Sequence, residues 1–335
     1  MRIWKNAVAG LVLLVGGAWA AMALALTGTG PEGPHVARAL VAGGVVGLAV
    51  AAWRWRSRRW GVAVMVLGCL SVLGWVRTFQ PSNARDWAPD LARAPWAEVA
   101  GTRVTLHDVR DFRYRSTTDW EPAWYTATYD TDALTDASFI VEPFSGFYGA
   151  AHTMVSFGFQ DGRHVVFSVE VRREKGETFS ALGGLFRRFE ITYVVGDERD
   201  LVQLRSNFRH DDVYVYPVKA SKERITAFFL DMVQRMNGLH TQPEFYDTLT
   251  SNCTTNLVRH FEKVAAKDVP YDHRTLMPAF SDALAYELGI IDTDAPLEQV
   301  RQRYHINARA LAAQGRDNFS ARIRAPLETA AAPAP

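Results

Sequence analysis

Three apolar stretches occupy most of the first 76 residues of this 335-residue chain, and they constrain its architecture more than any other feature. The first, from Ala7 to Leu26, has no charged residue and is long enough to cross a hydrocarbon core of ~30 Å. The others run from about Ala37 to Trp53 and from Trp60 to about Val76. Because two spans follow the first, it is not expected to be a cleaved signal peptide. Three transmembrane helices are therefore predicted within residues 1–77.

The arginine distribution predicts the orientation of these helices. Residues 54–59 contain four arginines, whereas the loop from Thr27 to His35 contains no Lys or Arg. Cytoplasmic loops carry the excess of basic residues in membrane proteins. The N-terminus and residues 54–59 are therefore expected in the cytoplasm, and everything after Arg77 on the outer side of the membrane.

The overall charge excludes one class of partner. Lys and Arg number 37 against 36 Asp and Glu, so no nucleic-acid partner is expected. His210, with Asp211 and Asp212, is the nearest approach to a metal-ligand set, but no second cluster at ligand spacing accompanies it. Neither a metal nor a cofactor is predicted.

The rest of the chain indicates an α+β domain. Residues 78–100, with three prolines, are typical of a stiff juxtamembrane connector. Residues 101–325 then combine strand and helix patterns, and residues 326–335 are predicted to be disordered. Strands are predicted at 104–109, 112–115, 124–129, 137–141, 151–159, 164–171, 189–195 and 213–218, a helix at 221–239, and two or three short helices within 270–323. The prediction is an antiparallel sheet with packed helices.

One hairpin can be assigned a register. A three-residue loop at 160–162, with Gly162 in the left-handed conformation, places the apolar residues of strands 151–159 and 164–171 on one face. A two-residue Asp-Gly turn would mix the faces. In the preferred register His152 lies opposite Glu170, with Ser156 and Ser168 nearby. His164 projects from the same face and is a rival to Glu170 as the group that orients His152.

Cys253 is the only cysteine after the apolar stretches, since Cys69 lies within the third one. No disulfide is therefore expected. Thr250 or Ser251 can cap a helix that carries Cys253 in its first turn and continues with Leu257, Phe261 and Val264 on one apolar stripe. A thiol at a helix N-terminus can have its pKa lowered from ~8.5 toward ~3.5–7.5. The pattern therefore favours a reactive thiolate.

These features together predict a thiol-dependent active site. Cys253 would be the nucleophile, His152 its base and Glu170 the group that orients His152. The backbone N–H of Cys253 and the Asn252 side chain would stabilise an oxyanion. Candidate substrate-binding residues are Asn252, Asn256, Ser156, Arg172 and Arg199. The alternative is a buried, inert cysteine beside a structural histidine and a solvated charged face; His260 is expected at the surface.

Several ordered motifs resemble one bacterial family, the Lnb N-terminal periplasmic domain family. They lie at residues 151–157, 168–177, 184–190, 193–200 and 250–256, and the resemblance covers roughly residues 90–320. It implies a periplasmic domain on a multi-pass protein of the bacterial inner (cell) membrane. Namesake members are implicated in moving an acyl chain from the diacylglyceryl group of a lipoprotein to the α-amine of its lipidated cysteine.

The order His, acidic residue, Cys also looks like that of circularly permuted papain-like enzymes of the NlpC/P60 type, several of which transfer acyl chains. The resemblance thus implies a papain-like fold and membrane lipids and bacterial lipoproteins as partners. The leading hypothesis is an acyltransferase or hydrolase that forms an acyl-Cys253 intermediate. The alternatives are a cell-wall cysteine peptidase or amidase, and a non-catalytic envelope module.

Overall fold

The computed structural model describes residues 2–28, 35–146 and 148–325. The predicted disordered tail, residues 326–335, lies outside the described residues. The chain divides into two compact units. The first comprises Met1–Ala92, Val171–Ile191 and Pro243–Ser251, and the second comprises Arg93–Glu170, Thr192–Gln242 and Asn252–Pro335.

Three long helices form most of the first unit: α1 (Arg2–Leu26), α2 (His35–Trp55) and α3 (Arg58–Val76). All three are long and apolar enough to cross a membrane, as predicted. Glycines allow their backbones to approach closely, as is typical of membrane helices. A Cβ at Gly68 would come within 2.4 Å of Val45, and one at Gly61 within 2.9 Å of the Ala49 carbonyl oxygen.

The remainder of the first unit packs against these helices. Phe186 belongs to a buried cluster with Ala23 of α1 and with Val72 and Val76 of α3. The connector is also tied down, because the Ser82 N–H donates to Glu190 Oε1 at 2.7 Å. A short strand that we number β11 (Glu244–Phe245) pairs with the start of the strand that contains Glu190. The segment around Phe186 is thus fixed to the C-terminal ends of α1 and α3.

A mixed sheet forms the centre of the second unit and confirms the α+β class. Its strands are β1 (Trp96–Ala100), β2 (Arg103–Arg110), β5 (Trp124–Asp130), β6 (Leu134–Pro143), β7 (Ala151–Phe159), β8 (His164–Arg172), β9 (Glu190–Asp197) and β10 (Tyr214–Pro217). Their order is β1-β2-β9-β8-β7-β6-β10, and β5 also pairs with β2. β2 pairs in parallel with β9, whereas the pairs β1–β2, β2–β5, β6–β7, β6–β10 and β7–β8 are antiparallel. A small hairpin, β3 (Arg113–Tyr114) and β4 (Trp120–Glu121), stands apart.

Two strand predictions need correction. Residues 96–100, assigned to the connector, form β1, because all five residues pair with residues 103–107 of β2. The strand predicted at 112–115 shrinks to two residues, since Phe112 uses its N–H to bind Asp200 Oδ2 at 2.8 Å instead of a neighbouring strand.

Helices complete the second unit. α4 (Glu198–Gln203) continues into a wider turn at Leu204–Arg209, and α5 (Lys222–Thr241) and α6 (Cys253–Ala265) follow. Phe229 of α5 packs its ring against Phe157 and Phe167 of the sheet, with ring centroids 5.1 and 5.7 Å apart. Short helices then follow as α7 (His273–Leu276), α8 (Ser281–Glu287), α9 (Leu297–Tyr304), α10 (Asn307–Ala312) and α11 (Phe319–Arg324). Between residues 273 and 324, all of which the structure describes, there are thus five short α-helices where two or three were predicted.

The hairpin of β7 and β8 has the predicted register. The Phe159 N–H donates to the Arg163 carbonyl at 3.0 Å, which closes a three-residue loop, and Gly162 has φ +82°. Met154 pairs with Ser168, so the same ladder places His152 opposite Glu170. On the other side of β7, Glu142 of β6 pairs with His152.

Candidate functional site

Cys253 is the first residue of α6, and the cap of this helix is Asn252 rather than Thr250 or Ser251. Asn252 Oδ1 accepts from the Thr255 N–H at 2.9 Å, while Thr255 Oγ1 accepts from the Asn252 N–H at 2.9 Å. Thr250 cannot serve because its hydroxyl donates to Asp247 in the preceding turn. This reciprocal cap fixes the helix start and leaves Cys253, which is partly exposed, at the positive end of the helix dipole.

His152 is buried and hydrogen-bonds to Cys253. Its Nε2 lies 2.6 Å from Ser168 Oγ and 3.2 Å from Glu170 Oε1. Ser168 in turn donates to Glu170 Oε1 at 2.6 Å. His152 Nε2 therefore faces both Ser168 and Glu170. The predicted nucleophile, base and orienting carboxylate therefore lie together, with Ser168 bridging the last two.

A buried guanidinium holds the carboxylates around His152. Arg205, in the wide turn after α4, donates from Nη2 to Glu170 Oε1 at 2.9 Å and from Nε to Glu142 Oε2 at 2.5 Å. Burial raises the pKa of Glu142, which lies beside His152 in the sheet. Arg205 thus links the carboxylates on either side of His152.

The pKa values of the central residues favour an ion pair. Burial alone would lower the pKa of His152, but attraction to Glu170 and the bond with Cys253 raise it to about 10. Burial would raise the pKa of Cys253, but the hydrogen bond with His152 and the positive charge of that side chain lower it. Hydrogen bonds from the Thr153 backbone and side chain act in the same direction, and the resulting pKa is about 7. The pKa of Glu170 lies well below its usual value because His152 and Arg205 outweigh its burial. Near neutral pH a large fraction of Cys253 is thiolate beside an imidazolium.

The other predicted site residues have partners of their own. Asn256 donates from Nδ2 to the Asn252 carbonyl at 2.8 Å, so both help to fix the start of α6. Ser156 donates to Glu198 at 2.6 Å, and Arg199 binds Asp111.

Arg172 donates to the Leu91 carbonyl at 3.1 Å and to Asn83 Oδ1 at 2.7 Å, and its guanidinium lies 4.3 Å from the Trp87 ring centroid. These contacts attach the end of β8 to the connector. The substrate-binding roles of Ser156, Asn252, Asn256, Arg172 and Arg199 remain predictions.

The structure gives the positions of His164 and His260, two other histidines considered from the sequence. His164 sits beside the hairpin loop opposite Gly158, with Nδ1 3.2 Å from the Gly162 carbonyl oxygen. His260, expected at the surface, is only 5% exposed. Its two ring nitrogens each lie 2.6 Å from a partner, Tyr193 Oη and Asp231 Oδ2, because this side of α6 packs against α5 and the sheet.

Sequence reasoning missed Glu142 and Arg205 at the site. Glu142 directly follows the apolar run Phe139-Ile140-Val141, and an acidic residue at that place in a strand was a signal that it could need a buried partner. Arg205 lies in a charged segment whose sequence does not reveal which arginine is buried. Among the residues that the structure describes, no group of three His, Cys, Asp or Glu side chains is arranged to hold a metal ion.

Comparisons with known proteins bear on the same segment. Residues 120–279 match the family model described as the Lnb N-terminal periplasmic domain, which confirms the resemblance seen in the motifs over a shorter range than expected. The match contains His152, Glu170 and Cys253 together with Glu142 and Arg205. Neither curated proteins nor solved structures gave a match.

Proposed function

We propose that this chain is a membrane-anchored, cysteine-dependent acyltransferase or hydrolase that acts on ester or amide bonds of lipids or lipoproteins through an acyl-Cys253 thioester. One observation carries the proposal: a thiol with a pKa of about 7 lies at a helix N-terminus and is hydrogen-bonded to a buried histidine that a carboxylate orients. A buried inert cysteine has a raised pKa, so the shift runs in the direction of reactivity. If the contact between Cys253 and His152 only stabilised the fold, the thiol would not have to be partly exposed to solvent.

The proposed chemistry has two half-reactions. In the first, the Cys253 thiolate attacks the acyl carbonyl, and the oxyanion is stabilised by backbone N–H groups at the start of α6. The tetrahedral species collapses, the bond to the alcohol or amine breaks, and the His152 imidazolium gives its proton to the leaving group. Glu170 and Ser168 keep the imidazole oriented throughout.

In the second half-reaction an amine or water attacks the thioester carbonyl. His152, now neutral, takes the proton from this nucleophile, and the Cys253 thiolate leaves as the acyl group passes to nitrogen or to water. An amine acceptor makes the enzyme a transferase, and water makes it a hydrolase. Thiolate and imidazolium are both restored at the end of the cycle.

The anchoring supports a lipid substrate. The unit that contains the three apolar helices also exposes Phe179, Leu182 and Leu185, in the segment that Phe186 fixes to the ends of α1 and α3. Membrane attachment raises the effective concentration of any lipid substrate. The proposed location is the bacterial inner membrane, with three spans and the catalytic unit in the periplasm, and the proposed partners are membrane lipids and lipoproteins.

The experiment is turnover in reconstituted vesicles. Full-length protein is incorporated into phospholipid vesicles with a synthetic diacylated lipopeptide that carries isotope-labelled acyl chains. The expected result is labelled acyl on Cys253, released by neutral hydroxylamine, with labelled amide or fatty acid as the product. Cys253→Ser should lose the hydroxylamine-sensitive adduct, and Cys69→Ser should retain it. Cleavage of cell-wall peptides with no acyl adduct would replace this proposal with the peptidase alternative.

A further inference from the structure

An apolar cavity of about 370 Å³ lies beside α6 in the second unit, and neither the thiol nor the imidazole of the site lines it. Its volume is within the ~300–1,000 Å³ typical of small-molecule sites. The lining includes Leu257, Val258 and Phe261 of α6, Phe228 of α5 and Leu284 of α8. Such a cavity is large enough for a ligand, and its walls suit an apolar one.

Two threonines connect the cavity to Cys253. Thr153 and Thr254 both line the cavity, and their hydroxyl oxygens lie 3.3 Å apart. Thr153 hydrogen-bonds to the thiol through backbone and side chain, and Thr254 Oγ1 lies 3.8 Å from Cys253 Sγ. The inner end of the cavity therefore begins one side chain away from the nucleophilic sulfur.

The cavity follows α6 away from the thiol. Lining residues on this helix run from Thr254 in the first turn to Ala265 at the last helical residue. At a rise of ~1.5 Å per residue, this is a length of roughly 16 Å. Basic side chains, Lys219, Arg224 and Lys267, appear among the lining residues as well. An elongated apolar space that starts beside a nucleophile matches an extended hydrocarbon chain better than a peptide, whose backbone groups need polar partners.

We propose that this cavity holds the acyl chain of the acyl-Cys253 intermediate, with its first carbons beside Thr153 and Thr254 and its end near Val269. The inference rests on the proposed function and makes it more specific, because it names long straight acyl chains as the substrate class. Each methylene that enters the cavity adds to the stabilisation of the transition state. The rate of acylation should therefore rise with chain length until the cavity is full.

The test is acylation of full-length protein by a series of activated esters from acetyl to hexadecanoyl, with Cys253 adducts quantified by mass spectrometry. For wild type we expect the rate to rise by up to ~fourfold per added methylene over the first few, then to level off. Val258 is half-buried and lines the cavity, so the larger side chain of Val258→Trp should fill it. Acylation by long-chain esters should then be at least ~tenfold slower than in wild type, because two or more methylenes are no longer buried. Acylation by the acetyl ester should stay within ~twofold of wild type. Arg259→Trp, next on the helix and exposed, adds the same side chain outside the cavity lining and should change neither rate.

The possible outcomes separate the two proposals. If wild type is acylated by the acetyl ester but shows no dependence on chain length, the cavity assignment is wrong and the nucleophile stands. If folded wild type is acylated by no ester, the proposed function fails. The chain-length series on wild type decides the matter even if Val258→Trp does not fold.

Discussion

Replacing His152 by Gln should raise the pKa of Cys253 and make its alkylation slower at neutral pH. In the wild type the thiol has a pKa of about 7, with His152 the largest favourable influence, whereas the reference value is 9.0. A thiol with a pKa of about 7 is about half ionised at pH 7, whereas one with a pKa of 9.0 is about 1% ionised. The fraction of thiolate therefore differs ~50-fold between them. The more basic thiolate is intrinsically more nucleophilic by ~8-fold over two pKa units, so the net loss at pH 7 is only ~6-fold.

The midpoint of the pH–rate profile is therefore a better measurement than the rate at one pH. Iodoacetamide alkylation of Cys253 is followed by mass spectrometry between pH 5 and pH 10 in a Cys69→Ser background, which removes the only other cysteine. Wild type should show a midpoint near 7 and His152→Gln a midpoint displaced toward 9. His164→Gln, a histidine in the same hairpin, should leave the midpoint unchanged. Coincident midpoints for wild type and His152→Gln would refute the ion-pair reasoning.

Three further substitutions test the surroundings of the pair. Glu170→Gln removes the charge that helps to raise the pKa of His152 to about 10, so the alkaline limb of the pH profile of acylation should move to lower pH. In Glu170→Asp the charge is kept, and the limb should stay at high pH. Identical limbs in the two variants would exclude Glu170 as the orienting group. Arg205→Met removes the buried guanidinium that donates to both Glu142 and Glu170 and should destabilise the fold by ~3–5 kcal/mol in denaturant titrations, against ~0–1 kcal/mol for Arg163→Met at an exposed ion pair; equal losses would contradict the buried network. Asn252→Ala removes the α6 cap and should cost ~0.5–2 kcal/mol, whereas Asn252→Asp should cost much less; similar losses in denaturant would show that the cap is not the source of stability.

The sequence was sufficient to predict the parts of the site that depend on local rules. The positive-φ requirement at Gly162 and the alternation of β7 and β8 determined the register, and the register placed Glu170 opposite His152. The helix that begins at Cys253 follows from its polar cap residues and apolar stripe, although the cap proved to be Asn252. Register and helix phase are properties of short segments, and so they can be derived from the chain alone.

The long-range contacts were beyond sequence reasoning. Arg205 reaches Glu142 and Glu170 from a turn far along the chain, and nothing local distinguishes it from other arginines in its segment. His260 was misplaced for the same reason, because its burial depends on how α6 packs against α5 and on Tyr193, which is 67 residues away. The short helices after residue 270 have weak periodicity, and their number is set by packing against the sheet and α6 rather than by propensity.

The central claim, that Cys253 is an activated acyl-accepting nucleophile, is tested most directly by a long-chain activated-ester probe on the membrane-embedded protein. Labelled residues are mapped by mass spectrometry in wild type, Cys253→Ala and His152→Ala, with folding of each variant checked by circular dichroism. We expect a thioester adduct at Cys253 in wild type, none at that position in Cys253→Ala, and strongly reduced labelling in His152→Ala at neutral pH. A folded wild type that remains unlabelled by both this probe and small electrophiles would contradict the account and favour a non-catalytic envelope module.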